Sequence, residues 1–213
     1  MNLITVNHKF TNNLSKRTKT DEIVIHHQAG NAVPAATMHQ WHLDRGWFGI
    51  GYHFVIQPDG RIETGRPIDT VGSHAGKGVN GRSIGVCFAG NVDIKPPTDQ
   101  QIKSFYALYR QAIKPRYGKL PISGHNQHMS TTCPGRHMPM ERMRREMDGD
   151  EFTVLLNGKR VDAPLKNENG RLYILLEGMP GQKHWVQLRA FADLLGAKLQ
   201  WVEATKTAIL TVR

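Results

Sequence analysis

Two histidines close the apolar run EIVIHHQA, and far along the chain a third histidine and a cysteine share one loop. These are His26, His27, His125 and Cys133, the last pair eight positions apart and just ahead of Pro134-Gly135. Side chains of a strand alternate between faces, so His26 and His27 cannot both serve one site; His26 travels with Val24 and His27 with Ile25. One strand histidine, one loop histidine and one loop cysteine offer three mixed nitrogen and sulfur donors. Zinc accepts that mixture, and three protein ligands leave the fourth tetrahedral position for water. A structural ion would want four protein ligands. Cys87 lies too deep in the apolar SIGVC run to be a good fourth and reads as a small buried hydrophobe. Spacing alone leaves His128 open as an alternative ligand.

The elements that must position these groups follow from pattern. Glu22–Ala29 reads as a strand, Pro34 opens a helix over Ala35–Arg45, and Gly46 ends it. GYHFVIQPDGRIETG reads as a hairpin, Tyr52–Gln57 turning at Pro58-Asp59-Gly60 into Arg61–Thr64. Arg82–Gly90 is apolar throughout, the signature of a central strand covered on both faces. Thr98 and Gln101 form a capping box for a helix whose apolar face is Ile102, Phe105, Leu108, Tyr109 and Ile113. Leu120–Ser123 is a short strand feeding the loop Gly124–Pro134, and Met140–Met147 a last short helix. His39 and His42, spaced i, i+3 on the first helix, read as packing residues.

Four segments in this order, IVIHH, QWHLDRGWFGIGYHFVIQPDGRIETGR, VGSHAGKGVNGRSIGVCFAGN and GHNQHMSTTCPG, resemble the zinc N-acetylmuramoyl-L-alanine amidases. That family includes amidase-type phage lysozymes and the peptidoglycan recognition proteins. The resemblance covers roughly residues 20–147. It implies an α/β fold, a central mixed β-sheet flanked by helices, with one Zn²⁺ held by His26, His125 and Cys133 in a surface groove. It places Tyr52 on the catalytic tyrosine and His74 on a residue lining the groove. The implied reaction is hydrolysis of the lactyl amide between N-acetylmuramic acid and L-alanine. One departure is Thr131, where several phage members carry a catalytic lysine; the recognition amidases also have threonine there. A hydroxyl donor at Thr131 in place of a full charge shifts more of the oxyanion stabilisation to the metal. Asn80 and Arg82 are candidates to meet the stem peptide or a muramyl carboxylate, against a structural role for each. Trp41 and Trp47 read as packing residues near the groove, with stacking on sugar as the alternative for both, and Trp47 is the candidate substrate contact.

Composition bounds these readings. The 213 residues are 39% hydrophobic and 22% charged, which excludes wholesale disorder and fibrous architecture. No apolar run approaches the roughly 18–20 residues that span a bilayer. The N-terminus lacks a basic segment followed by an apolar core, so no cleaved export signal is expected. The expectation is an endolysin made in the host cytoplasm and reaching the wall after release, with an autolysin exported by other means as the alternative. The net charge of +10 suits polyanionic partners, including anionic wall polymers. Nucleic acid is not an expected partner: there is no basic aromatic sheet motif or recognition helix, and Arg142, Arg144 and Arg145 are too few. A non-catalytic peptidoglycan-binding protein is the other alternative; loss of the cysteine would favour it, and Cys133 is present.

The chain divides at Asp148-Gly149-Asp150. Residues 1–148 carry +8 and ten of the 11 histidines, residues 149–213 only +2 and His184. FTVLLNGKRVDA reads as a hairpin around Asn157-Gly158, Arg171–Leu176 as a strand, VQLRAFADLLGA as a helix closed by Gly196, and Lys198–Val202 with Thr207–Val212 as a strand pair. This small α+β segment resembles the copper amine oxidase N-terminal-like domains of bacterial cell-surface proteins. One histidine and no cysteine make a copper site there implausible. Its expected role is wall targeting, with stabilisation or dimerisation as the alternative, and Tyr173, Trp185 and Trp201 as candidate contacts. For Trp201, on a strand, core packing is the competing expectation.

Overall fold

The apolar run at residues 83–88 lies in the interior of a six-stranded sheet, where both faces of a strand are covered and no polar alternation is needed. The computed structural model describes residues 1–147, 153–161, 165–168, 171–177, 183–202 and 207–211. Two compact units emerge, Met1–Asp148 and Gly149–Arg213, although the polar break at 148–150 itself falls outside the described residues.

In the first unit the elements are β1 (Leu3–Ile4), β2 (Glu22–His27), α1 (Ala35–Asp44), β3 (Phe54–Ile56), β4 (Ile62–Thr64), α2 (Lys77–Asn80), β5 (Ser83–Phe88), α3 (Asp99–Leu108), α4 (Lys114–Tyr117), β6 (Ile122–Gly124) and α5 (Met140–Met147). The sheet order is β1-β4-β3-β5-β2-β6. It is mixed: β3 pairs antiparallel with β4, while β2 runs parallel to both β5 and β6. Register sets His26 opposite Cys87 and Val55 opposite Cys87, so these side chains share a face.

Helices cover both faces, α5 adding Met143 and Met147 to the core beneath α3. Against one pack Phe105, Leu108 and Tyr109 of the α3 segment, meeting Ile23, Ile25, Val86 and Phe88. Each such side chain contributes about 1.5–3 kcal/mol on burial. The Thr98–Gln101 capping box forms as expected, and the Gln101 amide also donates to the carbonyls of Ile56 and Ala89, tying the helix start to the sheet. The helix continues as a π-helical turn over Tyr109–Ile113 that the pattern did not foretell. Pro115, two residues beyond it, has no N–H to give to the preceding turn. Over the opposite face, α1 buries Ala35, Met38, His39 and His42 against Val55, Cys87 and Ala89. Its first turn lacks a capping side chain of its own; the buried Glu63 carboxylate of β4 accepts the Ala35 N–H at 2.6 Å instead.

The second unit contains β7 (Thr153–Leu156), β8 (Lys159–Arg160), β9 (Leu165–Glu168), β10 (Arg171–Glu177), β11 (Lys183–Gln187), α6 (Leu188–Leu194), β12 (Lys198–Val202) and β13 (Thr207–Thr211). They form the sheets β11-β10-β9 and β12-β13-β7-β8. Asn157 and Gly158 both take positive φ, the turn expected of that dipeptide. Val154, Ile174, Leu188, Ala192, Ala208 and Leu210 make its core. Trp201 is not in that core: it is 42% exposed, because β12 lies at the edge of its sheet. Among the described residues, no helix is long and apolar enough to cross a membrane.

Candidate metal centre and active site

Strand alternation separates the two histidines as the pattern required. His26 turns to the α1 face, and its Nδ1 lies 3.6 Å from Cys133 Sγ. His27 turns away: its Nδ1 accepts the Val92 N–H at 3.0 Å and its Nε2 stands 3.9 Å from Asp93. Only the backbone of His27 reaches the site, where its N–H donates to Cys133 Sγ at 3.4 Å. No pattern in the sequence announces that bond.

His125 and Cys133 arrive on the excursion between β6 and α5. A 3-10 turn over His125–Gln127 begins it, and the Asn126 N–H donates to the Cys133 carbonyl at 2.7 Å, closing the excursion at its neck. Beyond the cysteine, Gly135 takes φ 98°, and a Cβ there would come within 2.7 Å of the Val92 backbone. Asp93 then pins the far side, accepting from Thr132 Oγ1 and from the Arg136 N–H.

The result is a donor cluster. Ligand atoms of His26, His125 and Cys133 all lie within 4.8 Å of one another. His125 Nε2 is buried without a hydrogen-bond partner, a costly state for a polar nitrogen unless something else occupies its lone pair. Zinc bonds of about 2.0–2.3 Å put ligand atoms roughly 3–4 Å apart, a range that includes the His26–Cys133 separation. The donor set therefore fits a metal ion. His128 does not join it: its Nε2 stands 2.9 Å from Ser123 Oγ and 3.2 Å from the Glu22 carboxylate.

Electrostatics matches that use. Burial, aided by the neighbouring His125 and His27, drives His26 well below its ordinary value, and burial lowers His125 too. Both are neutral donors at pH 7. Burial pushes the Cys133 thiol up to about 11, so metal binding must displace its proton. Tyr52 lies beside the cluster, its ring 5.1 Å from that of His26. Burial, with Cys87 and Cys133 nearby, raises its hydroxyl well above 10, so at neutral pH it is a donor and not a base. Thr131 stands exposed at the mouth; its Oγ1 accepts the Cys133 N–H at 3.2 Å, leaving the hydroxyl hydrogen to point elsewhere.

The remaining candidates are distributed differently. His74, expected to line the groove, is 8% exposed, and its Nδ1 lies 3.0 Å from His26 Nε2. Asn80 holds a loop: its Oδ1 accepts the N–H groups of His74 and Ala75. Arg82 pairs with Glu22 at 2.5 Å. Each of these contacts lies within the protein, and the Arg82 side chain remains 39% exposed. Trp47 and Trp41 are 45% and 43% exposed, so neither packs inside. Trp47 leans on His42, ring to ring at 4.8 Å, and His42 in turn lies 6.0 Å from Tyr52. Cys87 is fully buried, and both cysteines are free thiols.

Residues 16–136 match the N-acetylmuramoyl-L-alanine amidase family, and the chain belongs to it; its function is that of such an amidase. Among curated proteins, the endolysin of Enterobacteria phage K11 is 36% identical over 128 residues, covering 56% of this chain and 83% of that protein. Among solved structures, the endolysin N-acetylmuramoyl-L-alanine amidase LysCS from Clostridium intestinale is also 36% identical, with a TM-score of 0.65 over 68% of this chain and 95% of its own. Peptidoglycan recognition protein-LE, solved in complex with tracheal cytotoxin, a monomeric diaminopimelic acid-type peptidoglycan, is 26% identical with a TM-score of 0.61, over 68% of this chain and 93% of that one.

Proposed function

We propose that this chain is a zinc-dependent endolysin that hydrolyses the amide joining N-acetylmuramic acid to L-alanine in bacterial peptidoglycan. The observation that carries the reading is the convergence of His26, His125 and Cys133, with a buried nitrogen left bare, inside a chain of the amidase family. These three residues would hold the ion. Zinc bound there supplies a water of lowered pKa and a Lewis acid for the scissile carbonyl.

The protein's own groups do the rest. In the net reaction the lactyl carbon gains OH from water, the C–N bond breaks, and the L-alanine nitrogen takes the proton. Tyr52, protonated and rigidly placed, donates a hydrogen bond to the oxygen that gains charge as the carbonyl becomes tetrahedral. Thr131 offers a second, weaker hydroxyl at the mouth. Trp47, exposed on the same side as His42 and Tyr52, presents an apolar ring face suited to a sugar or a stem-peptide methylene.

Peptidoglycan is thus the partner, and the basic first unit favours walls carrying anionic polymers. The second unit serves as a wall tether that raises local substrate concentration. The site of action is the bacterial wall, reached after release from the cytoplasm that made the protein. Digestion of defined muropeptides, with the new amine located by mass spectrometry, tests the bond assignment. Free L-alanine amines appear with zinc and vanish with chelator or with Cys133→Ala; cleavage that survives both overturns the zinc mechanism, and amines at any other residue overturn the bond.

A further inference from the structure

Four groups run in line away from the donor cluster: His26, His74, Ser83 and the carbonyl of Val79. The Ser83 hydroxyl donates to the Val79 carbonyl at 2.7 Å and so uses its only hydrogen. Toward His74 Nε2, 3.4 Å away in the longest link of the series, Ser83 Oγ can only accept. The proton of a neutral His74 ring therefore sits on Nε2, and its Nδ1 is a bare lone pair. That lone pair lies 3.0 Å from His26 Nε2, so His26 supplies the hydrogen from Nε2. Its other nitrogen, Nδ1, is then bare, and it is the atom facing Cys133 Sγ. One serine hydrogen at the far end sets every proton position along the chain.

The His74 ring is built into place. A Cβ on Gly72 would come within 2.4 Å of its Cδ2, and one on Gly85 within 2.6 Å, so the ring occupies the space that two glycines vacate. The backbone carrying it is held from the other side by Asn80, through the two N–H bonds described above. Such rigidity has no use in a side chain that merely lines a groove. It serves a ring whose orientation matters to its neighbour.

We propose that His74 and Ser83 are positioning residues that keep the proton of His26 on Nε2, so that Nδ1 meets the cysteine ready to ligate before any metal arrives. Metal-ligating histidines commonly depend on such an outer partner, and its loss costs about 10–100-fold in metal affinity. The inference rests on His26, His125 and Cys133 being the zinc ligands, and the experiment separates the two.

Histidine-labelled ¹⁵N NMR of the metal-free protein should show both His26 and His74 protonated at Nε2 and bare at Nδ1. Zinc affinity, by competition with a chromogenic chelator, should fall about 10–100-fold in His74→Leu. His74→Asn, whose amide oxygen can accept the same hydrogen, should recover most of it, and Ser83→Ala should show a smaller loss with a mixed His74 tautomer. A proton on His26 Nδ1 in the metal-free wild type overturns the proposal, as does wild-type affinity in a folded His74→Leu. Should His74→Leu fail to fold, the wild-type tautomers and Ser83→Ala decide. A wild type that binds no zinc sinks the zinc reading, while the metal-free tautomers still test this one.

Discussion

Buried histidines occur in two kinds of place in this molecule, and their nitrogens tell them apart. His39, His53 and His27 are tied to the backbone. His39 accepts the Ile50 N–H and faces the Lys9 carbonyl, His53 accepts the Gly85 N–H and faces the Thr70 carbonyl, and His27 accepts from Val92. His42 likewise accepts the Gly51 N–H. These rings satisfy backbone N–H groups of loops and, at Gly85, of the strand β5. The donor cluster differs. His26 keeps one nitrogen turned to a sulfur, and His125 keeps one with no partner at all. His26 is as buried as the backbone-tied rings, and His125 is half-buried with its Nε2 enclosed, so burial alone identifies nothing; an unspent lone pair does.

The contrast is sharpest for His125→Ala. It should abolish zinc binding and wall clearing, a loss above about a thousandfold, since each ligand is indispensable to a three-donor site. The melting temperature of the metal-free protein should barely move. Clearing at near wild-type rate would erase the distinction. Next comes Tyr52→Phe, which removes one hydroxyl donor beside the cluster. A fall in kcat of about a hundredfold with unchanged zinc affinity is expected on muropeptides; a change in zinc affinity instead would make the tyrosine part of the metal's surroundings.

The backbone-tied set should answer in the opposite currency, stability. His53→Ala strands the buried Gly85 N–H and opens a cavity, while Arg17 still donates to the Thr70 carbonyl, at a cost of about 3 kcal/mol in urea unfolding, with zinc stoichiometry retained. Titration sharpens this. Burial, reinforced by Arg17 and Arg66, pushes His53 down to about 3, and burial with Arg45 pushes His42 down to about 4. The unfolded chain takes up protons at these residues below about pH 6.5, whereas the fold does not. Stability therefore falls as pH drops from about 6.5 toward 4, and for His53 toward 3, by up to about 1.4 kcal/mol per unit for each ring. A flat urea midpoint across that window, measured without metal, would mean these rings protonate within the fold. The smallest effect is reserved for Thr131→Val, a loss of a few-fold in kcat, since a neutral exposed hydroxyl contributes little.

Much of this site was legible before any coordinates. Period-two alternation assigned His26 and His27 to opposite faces, and loop spacing paired His125 with Cys133. The capping box at Thr98 and Gln101 and the central strand over 83–88 were equally plain. What escaped has a common cause. β1 is two residues long and pairs with β4, distant in sequence, while β9 reads LKNE and carries no apolar rhythm. The role of His74 depends on a serine nine positions on and a strand far upstream. Such facts belong to long-range pairing, which no local window contains.

The 2.7 Å bond from the Asn126 N–H to the Cys133 carbonyl reaches further than its size suggests. It joins the two ends of the excursion, so the gap between imidazole and sulfur is fixed at the base and not by the length of chain above it. Above that base the Met129 N–H donates to the His125 carbonyl at 3.1 Å, so it is the exposed side chains of Met129 and Ser130, and not their backbone, that can be exchanged without unseating either ligand. The side chains at the tip can thereby vary over a foundation that stays fixed.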